Sequence, residues 1–187
     1  MIKFFFKLIS TVITLAIIGY IGYKYVSPKL ESVKNDEQSD FILVERVVDG
    51  DTFKMAGGER IRLLGIDTPE KFQSTKLDKD SKKSGQDKKT LQALGEAASE
   101  YVKKLAEGKK VRLVKEPGTD KDKYGRSLRY VYLEDGTLIN AKIIRDGYAN
   151  VYPTPISKLD EFRKYEREAR ENKRGLWADM KGLKQFE

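Results

Sequence analysis

Two short acidic runs, Asp49-Gly50-Asp51 and Asp67-Thr68-Pro69-Glu70, are able to hold a cation, and two arginines, Arg62 and Arg126, are able to receive an anion. Carboxylates and peptide carbonyls are hard oxygen ligands, suited to Ca²⁺ or Mg²⁺. A planar guanidinium matches two phosphate oxygens at once, and a carboxylate-bound cation stabilises the charge that develops during displacement at phosphorus. Each acidic run taken singly is also ordinary turn chemistry, and an isolated arginine is most simply a solvated surface charge. The combination points to phosphoryl chemistry, provided that the intervening strands bring both runs to one side of the fold.

Composition narrows that chemistry further. The chain contains neither cysteine nor histidine, which removes disulfide frameworks, thiolate sites, Ser-His-Asp and Cys-His catalysis and imidazole-bound zinc. Hydrolysis must then rely on carboxylates, arginines, tyrosines or a hard metal ion. Lys and Arg number 37 against 29 Asp and Glu, a formal charge of +8 at pH 7. That balance suits a polyanionic partner, either nucleic acid or an anionic membrane surface. The length, 187 residues, suits one core with an appendage, because a single core organises on the order of 100–150 residues.

The elements that must position these residues are readable from pattern. Residues 8–23 are uncharged. The apolar run 4–26, with Lys7 and Lys24 able to snorkel, covers the roughly 20 residues that a bilayer crossing needs. Residues 1–26 are therefore expected to be a membrane anchor or uncleaved signal, since no small-x-small cleavage pattern follows the run cleanly; cleavage would make the protein secreted. Residues 27–40 are polar, contain Pro28 and read as a linker. The folded domain is expected over 41–178, with a tail over 179–187. Within it, 41–48 and 51–55 form a hairpin about Asp49-Gly50, and 60–66 forms a third strand that ends where Pro69 cannot donate to a ladder. Residues 71–89 carry seven lysines and few apolar side chains, which predicts a long mobile loop. A helix over 90–106, strands over 110–115 and 128–133, and helices over 138–146 and 158–174 follow. The order predicts an α+β domain built on a closed five-stranded barrel of the oligonucleotide-binding type.

Three segments, VVDGDTFKM, RIRLLGIDTPE and DKYGRSLRYVY, resemble in order the signature segments of the staphylococcal nuclease (thermonuclease) family, and the likeness extends over about residues 41–177. The resemblance implies a five-stranded oligonucleotide-binding barrel with three helices. It implies Ca²⁺-dependent hydrolysis of DNA and RNA phosphodiesters, leaving mainly 3′-phosphates. It also implies roles for individual residues. Asp51, Asp67 and the Thr68 carbonyl would hold Ca²⁺; Glu70 would orient or deprotonate the attacking water; Arg62 and Arg126 would grip the phosphate. Asp49 would lie behind the metal ligands, Tyr124 would meet the sugar or base, and Tyr152 would fall near a base pocket. One departure is the segment 71–89, longer and richer in lysine than the family type. The reading is of a monomer acting on DNA and RNA, held at the cell membrane by a single N-terminal transmembrane helix with its domain outside the cytoplasm. The alternative is a membrane-tethered nucleic-acid-binding or DNA-uptake module of the same fold. The joint presence of Asp51, Asp67, Glu70, Arg62 and Arg126 favours the enzyme.

Overall fold

The structure, a computed structural model, describes residues 41–178 together with Ala16, Gly19, Tyr20, Tyr23 and Lys24. Apart from those five positions, the expected anchor, the linker and the tail beyond Ala178 lie outside the described residues. Among the described residues no helix is long and apolar enough to cross a membrane. The chain divides into two units, Met1–Asp40 and Phe41–Glu187. The barrel and its helices make up the second.

Period-2 alternation gives β1 (Phe41–Val47), β2 (Thr52–Met55) and β3 (Arg60–Leu63), a meander of antiparallel neighbours. A later antiparallel pair, β5 (Lys110–Val114) and β6 (Ser127–Leu133), completes the wall. β5 pairs with β1, and β6 lies parallel to β3 with Ile61 opposite Ser127, so the order β1-β2-β3-β6-β5 closes into a barrel. Alternate residues point inward. Val44, Phe53, Met55, Ile61, Val111 and Val131 are fully buried, and removing their apolar area from water is the main term holding the domain together.

The expected third strand over 60–66 breaks after Leu63, because Gly65 adopts a left-handed φ of 75° that ordinary residues resist. Ile66–Asp67 forms a separate short strand, β4, paired with β7 (Asn150–Val151).

Among the described residues four α-helices pack around this frame, one more than the resemblance implies. The additional one is α1 (Thr75–Ser84), within the segment expected to be a mobile loop. Its sequence is almost entirely polar and only Leu77 is buried, so no apolar stripe announces it. Its caps do: the Ser74 hydroxyl accepts from the Leu77 N–H, and Gly85 ends the helix in the left-handed conformation. α2 (Lys88–Ala106) begins two residues earlier than its apolar spacing predicts, because Asp87 caps it by accepting from the Thr90 amide at 3.0 Å. α3 (Ile139–Arg145), α4 (Leu159–Glu171) and a 3₁₀ turn (Gly175–Trp177) complete the domain.

Candidate active site

β2, β3 and β4 deliver the acidic runs to the same place. Asp51 precedes β2 and is almost fully buried, and Thr52, the first residue of β2, lies opposite Arg62 in the antiparallel register. Asp67 ends β4, and the chain then carries Thr68 and Glu70 toward the start of α1. Arg62 spans the two runs. One guanidinium nitrogen lies 2.5 Å from Asp51 Oδ2 and the other 3.3 Å from Asp67 Oδ1. The shorter contact is not aligned along an N–H direction, so it is a charge contact rather than a full hydrogen bond. Asp51 is held from the other side as well: its Oδ2 accepts from the Thr68 amide and hydroxyl, both at 3.2 Å, and its Oδ1 from the Thr52 hydroxyl at 3.1 Å.

Arg126 reaches the same cluster from the opposite part of the chain. Asp122 builds its turn, accepting from the amides of Tyr124 and Arg126 at 2.9 and 3.0 Å and from Arg126 Nε at 2.6 Å. Burial opposes the Asp122 charge, but the guanidinium and the two amides outweigh it and hold the carboxyl below its usual range. With Nε committed to Asp122, Nη1 of Arg126 donates to Thr52 Oγ1 at 3.1 Å, and Thr52 in turn donates to Asp51. Arg126, Thr52, Asp51 and Arg62 thus form one connected series.

Asp49 stands behind Asp51. Burial and the neighbouring Asp51 carboxylate push its pKa up to about 6, against the pull of the Asp51 amide that it accepts from at 3.1 Å.

Two glycines admit close approaches that fix the acidic runs. A Cβ at Gly50 would lie 2.7 Å from the Thr68 side chain, and one at Gly95 in α2 would lie 2.5 Å from the Glu70 carbonyl carbon. α2 therefore presses directly on the backbone that carries Glu70.

Lys76, in the first turn of α1, is a participant that the sequence did not single out. Its ammonium lies 2.9 Å from Asp67 Oδ1, 3.0 Å from the Thr68 carbonyl oxygen and 3.1 Å from Glu70 Oε1. Burial works against its charge, but Asp67, Glu70 and Asp51 more than compensate and raise its pKa. Nearby Asp80 is pushed above its ordinary carboxylate range, chiefly by burial and also by Asp67 and Glu70, against the pull of Lys76. Thr52, Asp122 and Gly95 were likewise not singled out, since their roles depend on partners distant in the chain.

The tyrosines lie farther out. Tyr124 is 71 % exposed, with the Arg126 guanidinium 5.6 Å from its ring centroid. Tyr152 is anchored by its amide, which donates to the Gly65 carbonyl at 3.0 Å, and the residue is 54 % exposed. A cleft of about 630 Å³ lined by Lys142, Arg145, Tyr165 and Arg174 shares no residue with the carboxylate cluster.

Among the described residues no three acidic side chains form a ready-made metal cage. The oxygens nevertheless suit a hard cation. Two carboxylates and a peptide carbonyl already converge within 3.1 Å of one positive nitrogen, and the remaining positions of a Ca²⁺ or Mg²⁺ shell are commonly filled by water and substrate oxygens.

Comparison with known proteins bears on the same residues. The family model described as Staphylococcal nuclease homologue matches residues 60–179, a span that begins after Asp51 and includes Arg62, Asp67, Thr68, Glu70 and Arg126. The thermonuclease of Staphylococcus intermedius is 32 % identical over 181 residues, covering 91 % of this chain and 98 % of that one. Uncharacterized protein MJ1439 of Methanocaldococcus jannaschii is 38 % identical over 144 residues, 72 % of this chain and 70 % of its own length. Endonuclease YncB of Bacillus subtilis is 33 % identical over 151 residues, 78 % of this chain and 65 % of its own.

Proposed function

The chain belongs to the staphylococcal nuclease family and is a phosphodiesterase of the endonuclease type, and from that premise we propose that it cleaves DNA and RNA with the help of Ca²⁺. The observation that carries the proposal is the series in which Arg62 spans Asp51 and Asp67 while Arg126 reaches Asp51 through Thr52. Asp51, Asp67 and the Thr68 carbonyl would hold the ion. When bound, it would act as a Lewis acid that polarises a phosphoryl oxygen.

The chain's own residues do the rest. Arg62 and Arg126, already fixed by Asp51 and Asp122, turn toward the non-bridging phosphate oxygens and stabilise the charge that grows on them. Glu70 orients the water that attacks phosphorus. The new P–O bond forms as the bond to the 5′ oxygen breaks; the attacking water gives up a proton to Glu70 or solvent and the departing 5′ oxygen takes one up, leaving a 3′-phosphate and a 5′-hydroxyl. Tyr124, beside Arg126, meets the sugar or base; Tyr152 lies near the base pocket. Asp49, which accepts from the Asp51 amide, would support the ion's ligands from behind.

Degradation of single-stranded DNA and of RNA is expected with Ca²⁺ and is expected to fall to background with chelator, read as acid-soluble nucleotide release. Binding without cleavage under every divalent ion tried would instead favour a nucleic-acid-binding module. The apolar run 4–26 supports a second part of the reading, a single-pass tether with the nuclease domain outside the cytoplasm. The full chain is then expected in the carbonate-washed membrane fraction, its domain open to external protease. Recovery in the soluble cytoplasmic fraction would sink that part.

A further inference from the structure

Lys76 is out of place by the ordinary rules of helices. It is the second residue after the Ser74 cap, where the exposed N–H groups favour negative charge and disfavour an ammonium. The side chain is held there by three oxygen acceptors within 3.1 Å, from Asp67, Thr68 and Glu70. Two of these, Asp67 and the Thr68 carbonyl, belong to the set read above as ligands of the divalent ion.

We propose that Lys76 is a tethered counter-cation, occupying the divalent-ion position while the ion is absent and withdrawing for the ion to enter, so that it sets the ion concentration at which the site loads. The inference rests on the calcium reading and deepens it. An ammonium and a divalent ion cannot share the same oxygens: at about 3 Å the repulsion between them is severe in any medium less polar than bulk water. Removing both cations would leave Arg62 to offset Asp51 and Asp67, and would leave Glu70 without its Lys76 ion pair. A cation built into α1 relieves that repulsion without any dissolved ion. Withdrawal has a route to water, because the Lys76 side chain is already 35 % exposed and its long stem can rotate. α1 itself buries only Leu77, so it can also shift at little cost.

The test is Ca²⁺ binding by calorimetry to the full chain and to its Lys76→Met and Lys76→Arg variants, with thermal melting in the absence of divalent ions. Lys76→Met keeps the stem and removes the charge; it is expected to bind Ca²⁺ at least tenfold more tightly and to melt at a lower temperature than the unsubstituted chain when ion-free. Lys76→Arg is expected to stay within about threefold of the unsubstituted affinity. On the unsubstituted chain, acylation footprinting is expected to show Lys76 modified several-fold faster with Ca²⁺ than without, while Lys110, at the start of β5, is unchanged. Equal or weaker Ca²⁺ binding by Lys76→Met, or Lys76 acylation indifferent to Ca²⁺, overturns the counter-cation and leaves the calcium reading standing. If none of the three chains binds Ca²⁺, the calcium reading fails and the counter-cation falls with it.

Discussion

Replacing Glu70 by glutamine is expected to lower turnover by about two to four orders of magnitude, the range over which a positioned acid or base contributes, while the fold survives. The side chain is partly exposed and its partners are the Lys76 ammonium at 3.1 Å and the Ser74 hydroxyl at 3.5 Å. Glutamine keeps an acceptor for Lys76 and keeps the shape, so the melting temperature should move by no more than a few degrees. What disappears is the negative oxygen proposed to orient the attacking water. Arg126→Ala should cost a similar factor for a different reason, since it deletes a donor aimed at charge that exists fully only in the transition state. Its structural cost is also modest: Asp122 retains both backbone amides. Single-turnover cleavage of single-stranded DNA, with Ca²⁺ affinity measured alongside, separates loss of chemistry from loss of the ion. Both variants cleaving at close to the unsubstituted rate would remove the proposed mechanism altogether.

The largest effect on stability is expected at a residue with no part in the chemistry. Asn140, the second residue of α3, is fully buried. Its Oδ1 accepts from the Val131 amide at 2.9 Å, and its Nδ2 donates to the carbonyls of Leu64 and Arg129 at 3.0 and 3.2 Å. The side chain therefore clamps the end of β3 to β6 at the point where their parallel pairing runs out. In Asn140→Ala the Arg129 carbonyl still receives the Leu64 amide at 3.0 Å, but the Val131 N–H and the Leu64 carbonyl lose this partner in a dry environment. Each orphaned group costs about 1–3 kcal/mol, and the small cavity adds to it. A total loss of about 3–5 kcal/mol is expected by urea unfolding. A loss under about 1 kcal/mol would mean that the clamp is replaced by water or by relaxation of the seam.

The barrel was legible because its strands alternate cleanly and its first hairpin turn is marked by Asp49-Gly50. The acidic runs were legible for the same reason: they occur where strands end. α1 was not, since a helix that buries one leucine leaves no periodic trace, and only its two caps betray it. The roles of Lys76 and Thr52 were hidden more deeply. Lysines are abundant in 71–89, and what distinguishes Lys76 from its neighbours is the helical turn that aims it back at Asp67. Thr52 matters because Arg126 arrives beside it from a distant part of the chain, which no local pattern encodes. The exposure of Tyr152 was equally unreadable, because a tyrosine after a short strand serves a core and a surface alike.

The parallel seam between β3 and β6 joins segments that are synthesised far apart, with Ile61 opposite Ser127, and such non-local pairings form late. Every acidic group of the cluster precedes α1, whereas Arg126 immediately precedes β6. A polypeptide emerging from the ribosome thus carries its carboxylates long before the guanidinium that must face them. The series that joins Arg126 to Asp51 is complete only once β6 has paired with β3.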